Sequence, residues 1–259
     1  MDLHLGSGAS SPAIVIVGGL DPGSGAGVLR DLLTSAELAA RATVVVTSLT
    51  EQDATSVGSV EPREPARVSR ALAAALARMG APSVKIGMIA TAAIARGIAS
   101  ILSRFTGPVV YDPVLRASSG GSLYDGDREA ILELAKCASL LTPNLSEAAW
   151  LLGRPVETLT DAKVAARDLL AFGTPAVLLK GGHLAGDATD LLARAGTLRA
   201  FTHPRVAGPS PRGTGCALAT AIAVGLGRGQ DLEAAVAEAK AWLTAKIASA
   251  TQVGAELHL

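Results

Sequence analysis

The chain has 259 residues, 49% of them hydrophobic, with 28 glycines and 13 prolines, enough for one large α/β domain with many turns. The 23 Lys and Arg balance 23 Asp and Glu, and only 3% of residues are aromatic, so neither a nucleic-acid surface nor a pull toward anionic membrane is expected. Cys137 and Cys216 form no metal-ligand spacing or disulfide framework, no basic-then-apolar leader opens the chain, and the longest apolar run, 217–226, falls short of the ~20 residues of a membrane span, so a cytoplasmic protein is expected.

Residues 1–11 are polar and Gly/Ser-rich and read as a flexible tail ahead of a single domain, 12–259. The run 13–17 (AIVIV) is a strand buried on both faces. It leads into the glycine-rich 18–27, then a helix with Val28, Leu32 and Leu38 on one side. That loop fits neither G-x-G-x-x-G nor a P-loop; its glycines permit either a sharp turn or close approach of a ligand. Residues 43–49 (TVVVTSL) form a second buried strand, followed by a polar stretch, 50–55. There Gln52, with both a donor and an acceptor, either reads the edge of a heterocycle or is solvated.

A helix over 65–80, a strand over 83–87, a helix over 91–105 and a strand over 108–111 follow. The last ends in Asp112, where open α/β sheets bind ligands. Residues 116–122 have the composition of a flexible lid. A helix over 128–135 and a strand over 139–141 precede Asn144 and Glu147. These two, three apart at a helix start, are either a cap and its partner or oxygen ligands for hydrated Mg²⁺. After a helix over 161–171, the strand 176–180 ends in Lys180, either a phosphate contact or a snorkelling lysine. A hairpin over 190–203 and a final helix capped by Asp231 complete the alternation.

Between those last two elements lies 206–229, a Pro/Ser/Gly loop running into Gly213-Thr214-Gly215-Cys216 and an apolar helix through Leu218, Ile222 and Leu226. The first N–H groups of a helix lack internal partners and carry the positive end of its dipole, so glycines there suit an anion. The alternative is a tight turn with Cys216 as a small core residue. About eight strands alternate with about eight helices, which predicts a mostly parallel sheet between two helix layers. Asp21, Gln52, Asp112, Asn144, Lys180 and the Gly213–Cys216 turn all follow strands, so they can share one crevice.

Seven stretches in order, GLDPGSGAGVLRD (19–31), TSLTEQD (47–53), VKIGM (84–88), DPVLRASSGG (112–121), TPNLSEA (142–148), LLKGGH (178–183) and GTGCALATAIA (213–223), resemble the hydroxymethylpyrimidine/phosphomethylpyrimidine kinases of thiamine biosynthesis, within the ribokinase-like superfamily. The resemblance implies a three-layer α/β/α fold. It also implies MgATP-dependent phosphorylation of 4-amino-5-hydroxymethyl-2-methylpyrimidine and then of its monophosphate. Gln52 matches the glutamine that pairs with the aminopyrimidine, Asp31 and Met88 match pocket residues, and Gly19 lies on the same wall. Asp112, Asn144 and Glu147 match positions near Mg²⁺ and the phosphates, and Lys180 the lysine near the ATP phosphates. Gly213, Thr214, Gly215 and Cys216 match the anion hole, with Cys216, its pKa lowered by the helix terminus, as the expected base.

The chain departs from the family at Leu115, Arg116 and Ser118, usually Met, Val and Lys, and at Ser210, Pro211 and Arg212, usually Asn, Thr and His. Arg116 or Arg212 could replace the missing lysine as a phosphate ligand. A pyridoxal-type vitamin kinase and an inactive pyrimidine-binding module are the alternatives. A homodimer is the expected assembly.

Overall fold

The computed structural model describes residues 11–52, 56–80, 82–117, 120–182, 186–208, 211–253 and 256–259. The expected tail, apart from Ser11, lies outside the described residues, as do Asp53, Ser118, His183 and Ser210.

The chain runs β1 (Ala13–Leu20), α1 (Gly27–Glu37), β2 (Arg41–Gln52), β3 (Val57–Pro62), α2 (Pro65–Met79), β4 (Ser83–Ile86), β5 (Ala90–Thr91), α3 (Ala92–Leu102), β6 (Val109–Tyr111), β7 (Tyr124–Asp125), α4 (Arg128–Ala135), β8 (Leu140–Leu141), α5 (Leu145–Leu152) and α6 (Leu159–Asp168). A 3₁₀ turn (Leu169–Phe172) leads to β9 (Ala176–Leu179), β10 (Ala188–Arg194), β11 (Thr197–His203), α7 (Thr214–Gly227), α8 (Leu232–Ala248), β12 (Thr251–Val253) and β13 (Glu256–His258). Nine strands form one sheet in the order β11-β10-β9-β8-β6-β4-β1-β2-β3. The six from β9 to β2 are parallel; β10, β11 and β3 extend it by antiparallel pairing.

Strand alternation divides the core between the two faces. In β1, Val15 and Val17 face α2 to α6, packing with Leu72, Ile98, Leu134 and Leu151. Ile14 and Ile16 face α1, α7 and α8, packing with Val28, Ile222 and Val236. These side chains are almost fully buried, each contributing roughly 1.5–3 kcal/mol. The expected three-layer α/β/α arrangement with a mostly parallel central sheet is the observed one. All six parallel strands end on the same edge, so their following loops meet there.

Among the departures from expectation, three stand out. The polar stretch after Leu49 continues β2 to Gln52 and pairs with β3, with a bulge between Glu51 and Gln52. Thr50 is buried and Leu49 exposed, the alternation of a half-buried edge hairpin. α6 starts at Leu159, because Thr158 is its N-cap and Asp161 the third helical residue of a capping box. The two ends of the lid stretch pair with each other: Arg116 bridges Ser122, and Ala117 N–H donates to the Gly121 carbonyl at 2.9 Å. Its Gly121 approaches Val57 of β3, so lid and β2–β3 hairpin touch.

Candidate active site

A cleft of about 430 Å³ opens along the edge where the parallel strands end. Of the residues expected there, Gly19, Asp31, Gln52, Met88, Asp112, Asn144, Glu147, Lys180, Arg212, Gly213, Thr214, Gly215 and Cys216 line it, whereas Asp21, fully buried, does not.

One wall is the start of α7. Gly213 is its N-cap with φ 73°, and no side chain caps the helix. A Cβ on Gly213 would lie 2.3 Å from the Gly25 carbonyl oxygen, so glycine is required on both conformational and steric grounds. Two residues on, a Cβ on Gly215 would fall 3.1 Å from Lys180 Nζ. Both glycines therefore hold the start of α7 close to other protein groups, which a tight turn requires whether or not a ligand approaches.

Lys180 leaves β9 and donates to Asp112 Oδ1 at 2.5 Å; the Thr142 hydroxyl donates to the same oxygen at 3.3 Å. Burial works to depress the lysine's pKa, but Asp112 and Glu147 outweigh it and hold it above its usual value. Asn144 and Glu147 form a complete capping box: Asn144 N–H donates to Glu147 Oε2 at 2.7 Å, and Glu147 N–H to Asn144 Oδ1 at 2.9 Å. Glu147 is nevertheless unusual. Burial pushes its carboxyl up to about 7, with Asp112 adding to the rise and Lys180 opposing it.

Cys216, the third residue of α7, requires a correction. The sequence places it at a helix N-terminus, which favours a thiolate. In the structure burial dominates and pushes the thiol up to about 11; nearby Lys85 pulls it down, while Asp31 and Asp112 push it further up. The free protein therefore carries a neutral thiol at pH 7.

The floor holds a pair that the sequence reading missed. Lys85, fully buried in β4, donates to Asp31 Oδ2 at 2.7 Å, and Thr220 of α7 donates to Asp31 Oδ1 at 2.8 Å. Asp31 is thus a buried structural acid beneath the cleft. The signal was available: a lysine inside a strand buried on both faces must be paired. At the cleft's other end Lys240 donates to Asp190 Oδ2 at 2.5 Å, and Asp190 Oδ1 accepts from Gly181 N–H at 3.0 Å. Lys240 falls on the inward stripe of α8, four residues after Val236, the same kind of signal.

Gln52 pairs with Val57, which belongs to a small apolar cluster with Met88, Ala90, Leu123, Val60, Val114 and Ala117; of these Met88, Val114, Ala117 and Leu123 line the cleft. A Cβ on Gly19 would strike Met88 Sδ at 2.5 Å, so Met88 packs against the C-terminal end of β1. Arg212 does not reach Lys180 or Asp112. It donates to Asp21 Oδ2 at 3.2 Å and to Gln52 Oε1 at 3.1 Å.

A mostly parallel sheet of this order between two helix layers is the ribokinase-like fold, and solved kinases of that fold superpose on the chain. A pyridoxal kinase of Bacillus subtilis solved as an ADP complex superposes with a TM-score of 0.86 at 26% identity, covering 96% of this chain and 97% of that one. A phosphomethylpyrimidine kinase of Clostridium difficile gives 0.76 at 30% identity, covering 92% and 99%. The hydroxymethylpyrimidine/phosphomethylpyrimidine kinase of Aquifex aeolicus is 36% identical over 242 residues, 92% of this chain and 95% of that protein. The pattern of the phosphomethylpyrimidine kinase family matches residues 21–258, and the chain belongs to that family.

Proposed function

We propose that the chain is an ATP-dependent kinase that phosphorylates the hydroxymethyl group of 4-amino-5-hydroxymethyl-2-methylpyrimidine and then the resulting monophosphate. The names of its relatives support the reaction. The observation that carries it is the meeting of Lys180, Asp112 and the bare Gly213–Cys216 turn across one cleft from Gln52.

Phosphoryl transfer asks for alignment and dispersed charge more than covalent help. The Thr214, Gly215 and Cys216 amides hold the γ-phosphoryl oxygens, and Lys180 neutralises charge on the bridging side. Gln52 reads the ring edge while Gly19 and Met88 pack its face. Asp31 fixes the floor through Lys85 and Thr220. Cys216 takes up the hydroxyl proton only where the ternary complex first ionises its thiol.

Asp112 and Glu147 would hold Mg²⁺, with Asn144 fixing the Glu147 carboxyl. No cluster of three metal-ligating side chains occurs among the described residues, but Mg²⁺ commonly takes one or two carboxylates plus phosphate oxygens and water. Asp112 Oδ2 and Glu147 Oε1 remain outside the described hydrogen bonds, which fits that donor set. The ion would disperse phosphate charge.

A homodimer in the cytoplasm is the proposed setting. Exposed Leu32, Leu33 and Leu49 offer apolar surface for a second copy, and both cysteines are free thiols. Among the described residues no helix is long and apolar enough to cross a membrane. Light scattering after size exclusion measures the assembly; a monomer at micromolar concentration overturns the dimer.

A second reading, a pyridoxal-type kinase, draws on the higher TM-score to the Bacillus subtilis enzyme. A coupled assay of ADP release with the pyrimidine alcohol, its monophosphate and pyridoxal side by side decides. Turnover of pyridoxal alone favours the second reading. Nucleotide binding without turnover of any of the three makes the chain a binding module.

A further inference from the structure

We infer that Arg212 is a positioning residue for substrate specificity: together with Thr50 it locks the Gln52 amide in the one orientation that reads an amino-substituted ring edge. The inference rests on the reading above, that the cleft takes an aminopyrimidine alcohol.

A glutamine amide can turn its oxygen and nitrogen either way, and its partners decide which. At one end of Gln52 stands Arg212, whose guanidinium only donates; it lies 3.1 Å from Oε1. At the other end Nε2 donates to Thr50 Oγ1 at 3.0 Å. That hydroxyl has spent its proton on the Leu20 carbonyl, 2.9 Å away, so it offers Gln52 only a lone pair. Two one-sided partners therefore oppose the flipped amide from both ends. Arg212 is itself held, since Asp21 accepts from it at 3.2 Å while also tying down the N–H groups of Gly23 and Ala26. The bulge between Glu51 and Gln52 re-aims the side chain at the strand end.

The amide has two lone pairs and two N–H groups. One of each is engaged, which leaves one acceptor and one donor on the amide of a residue lining the cleft. That pair complements a ring nitrogen next to an exocyclic amino group, a fixed acceptor and a fixed donor. A ring hydroxyl can serve as either donor or acceptor and so needs no fixed amide orientation. Arg212 thus favours the amino edge over hydroxylated or unsubstituted rings by acting through Gln52.

The test measures kcat/KM for the aminopyrimidine alcohol, the same compound without its amino group, and the monophosphate, in wild type, Arg212→Met, Arg212→Lys and Thr50→Val. The preference of wild type for the amino over the des-amino compound should fall on the order of tenfold in Arg212→Met and in Thr50→Val. Arg212→Lys, which keeps a donor-only group, should recover part of it. The loss should appear in KM more than in kcat. An unchanged preference in all three variants overturns the inference, as does a loss confined to the monophosphate, which would put Arg212 on phosphate. If Arg212→Met fails to fold, Thr50→Val and Arg212→Lys decide alone. Wild type that does not turn over the aminopyrimidine overturns the underlying reading instead.

Discussion

Lys180 sits 2.5 Å from Asp112, and a Cβ placed on Gly215 would fall 3.1 Å from the lysine's ammonium and 3.7 Å from the far oxygen of the same aspartate. The absence of a side chain at 215 is therefore what lets the start of α7 face this ion pair. It separates two glycines that look alike in the sequence. Gly215 is inside the helix with ordinary backbone angles, and alanine there is at no conformational disadvantage. Gly215→Ala should fold normally and lose about tenfold to a hundredfold in kcat, since small misplacements at a reacting centre cost that much. Gly213→Ala meets a backbone oxygen at 2.3 Å and a φ of 73°, so it should lose roughly 3 kcal/mol of stability. Denaturant unfolding beside steady-state rates checks both. Equal losses of stability in the two variants would contradict this division.

The architecture was legible because runs such as 13–17 are apolar at every position, which only a strand covered on both faces requires. The shared rim was legible because polar residues recur just after such runs. What stayed hidden depended on distant partners. Lys85 and Asp31 are 54 positions apart, and nothing local to either names the other. Gln52 looked like a loop residue because an edge hairpin alternates polar and apolar side chains, and Gly58 and Ser59 in β3 carry little strand propensity. At Cys216 the helix start was correctly placed, but burial, which only the packed fold supplies, outweighs it and reverses the expected direction of the thiol's pKa.

Glu147 makes stability depend on pH in a direction opposite to that of an ordinary ion-paired carboxylate. Its pKa rises from 4.5 to about 7 in the folded state, so the native form holds the proton more tightly than the unfolded chain. Its contribution is most favourable below pH 4.5 and is lost as pH rises toward 7. Glu147→Gln keeps an oxygen for the Asn144 N–H but carries no charge. It should therefore be more stable than wild type at pH 8, by up to about 3 kcal/mol, and nearly equal at pH 4.5. The same variant should need more Mg²⁺ for half-maximal activity. Chemical unfolding at the two pH values measures the first claim, and a variant less stable than wild type at pH 8 would refute it.

Arg116 remains at the cleft edge on the lid, exposed, whereas Arg212 is held by Asp21 and Gln52. The cation standing in for the lid lysine of the family should therefore be Arg116. A guanidinium grips a phosphate through two parallel N–H bonds and gains nothing from a neutral alcohol. Arg116→Ala should raise KM for the monophosphate by about tenfold and leave KM for the alcohol within about twofold. Initial rates with each substrate at saturating ATP measure the split. Equal effects on both substrates would remove Arg116 from phosphate recognition.

The thiol of Cys216 tests how far burial prevails over the helix terminus. With its pKa near 11, the ligand-free protein should resist alkylation by iodoacetamide at this residue at pH 8, as read by mass spectrometry of the peptide. The kcat/KM profile, which reports the free enzyme, should show no inflection that disappears in Cys216→Ala between pH 6 and 9. Lys85 and Asp31 pull this thiol in opposite directions, so Asp31→Asn should shift the balance toward Lys85. Asn keeps an oxygen for the lysine and an amide for the neighbourhood of Thr220, while the carboxylate charge is gone. Alkylation of Cys216 should then begin at a lower pH than in wild type, even though the variant loses roughly 3 kcal/mol by weakening a buried pair. Comparing the onset of alkylation under conditions where both proteins are folded separates the electrostatic effect from unfolding. An onset that does not move, or that moves to higher pH, would mean that the Asp31–Lys85 pair does not govern the cysteine's acidity.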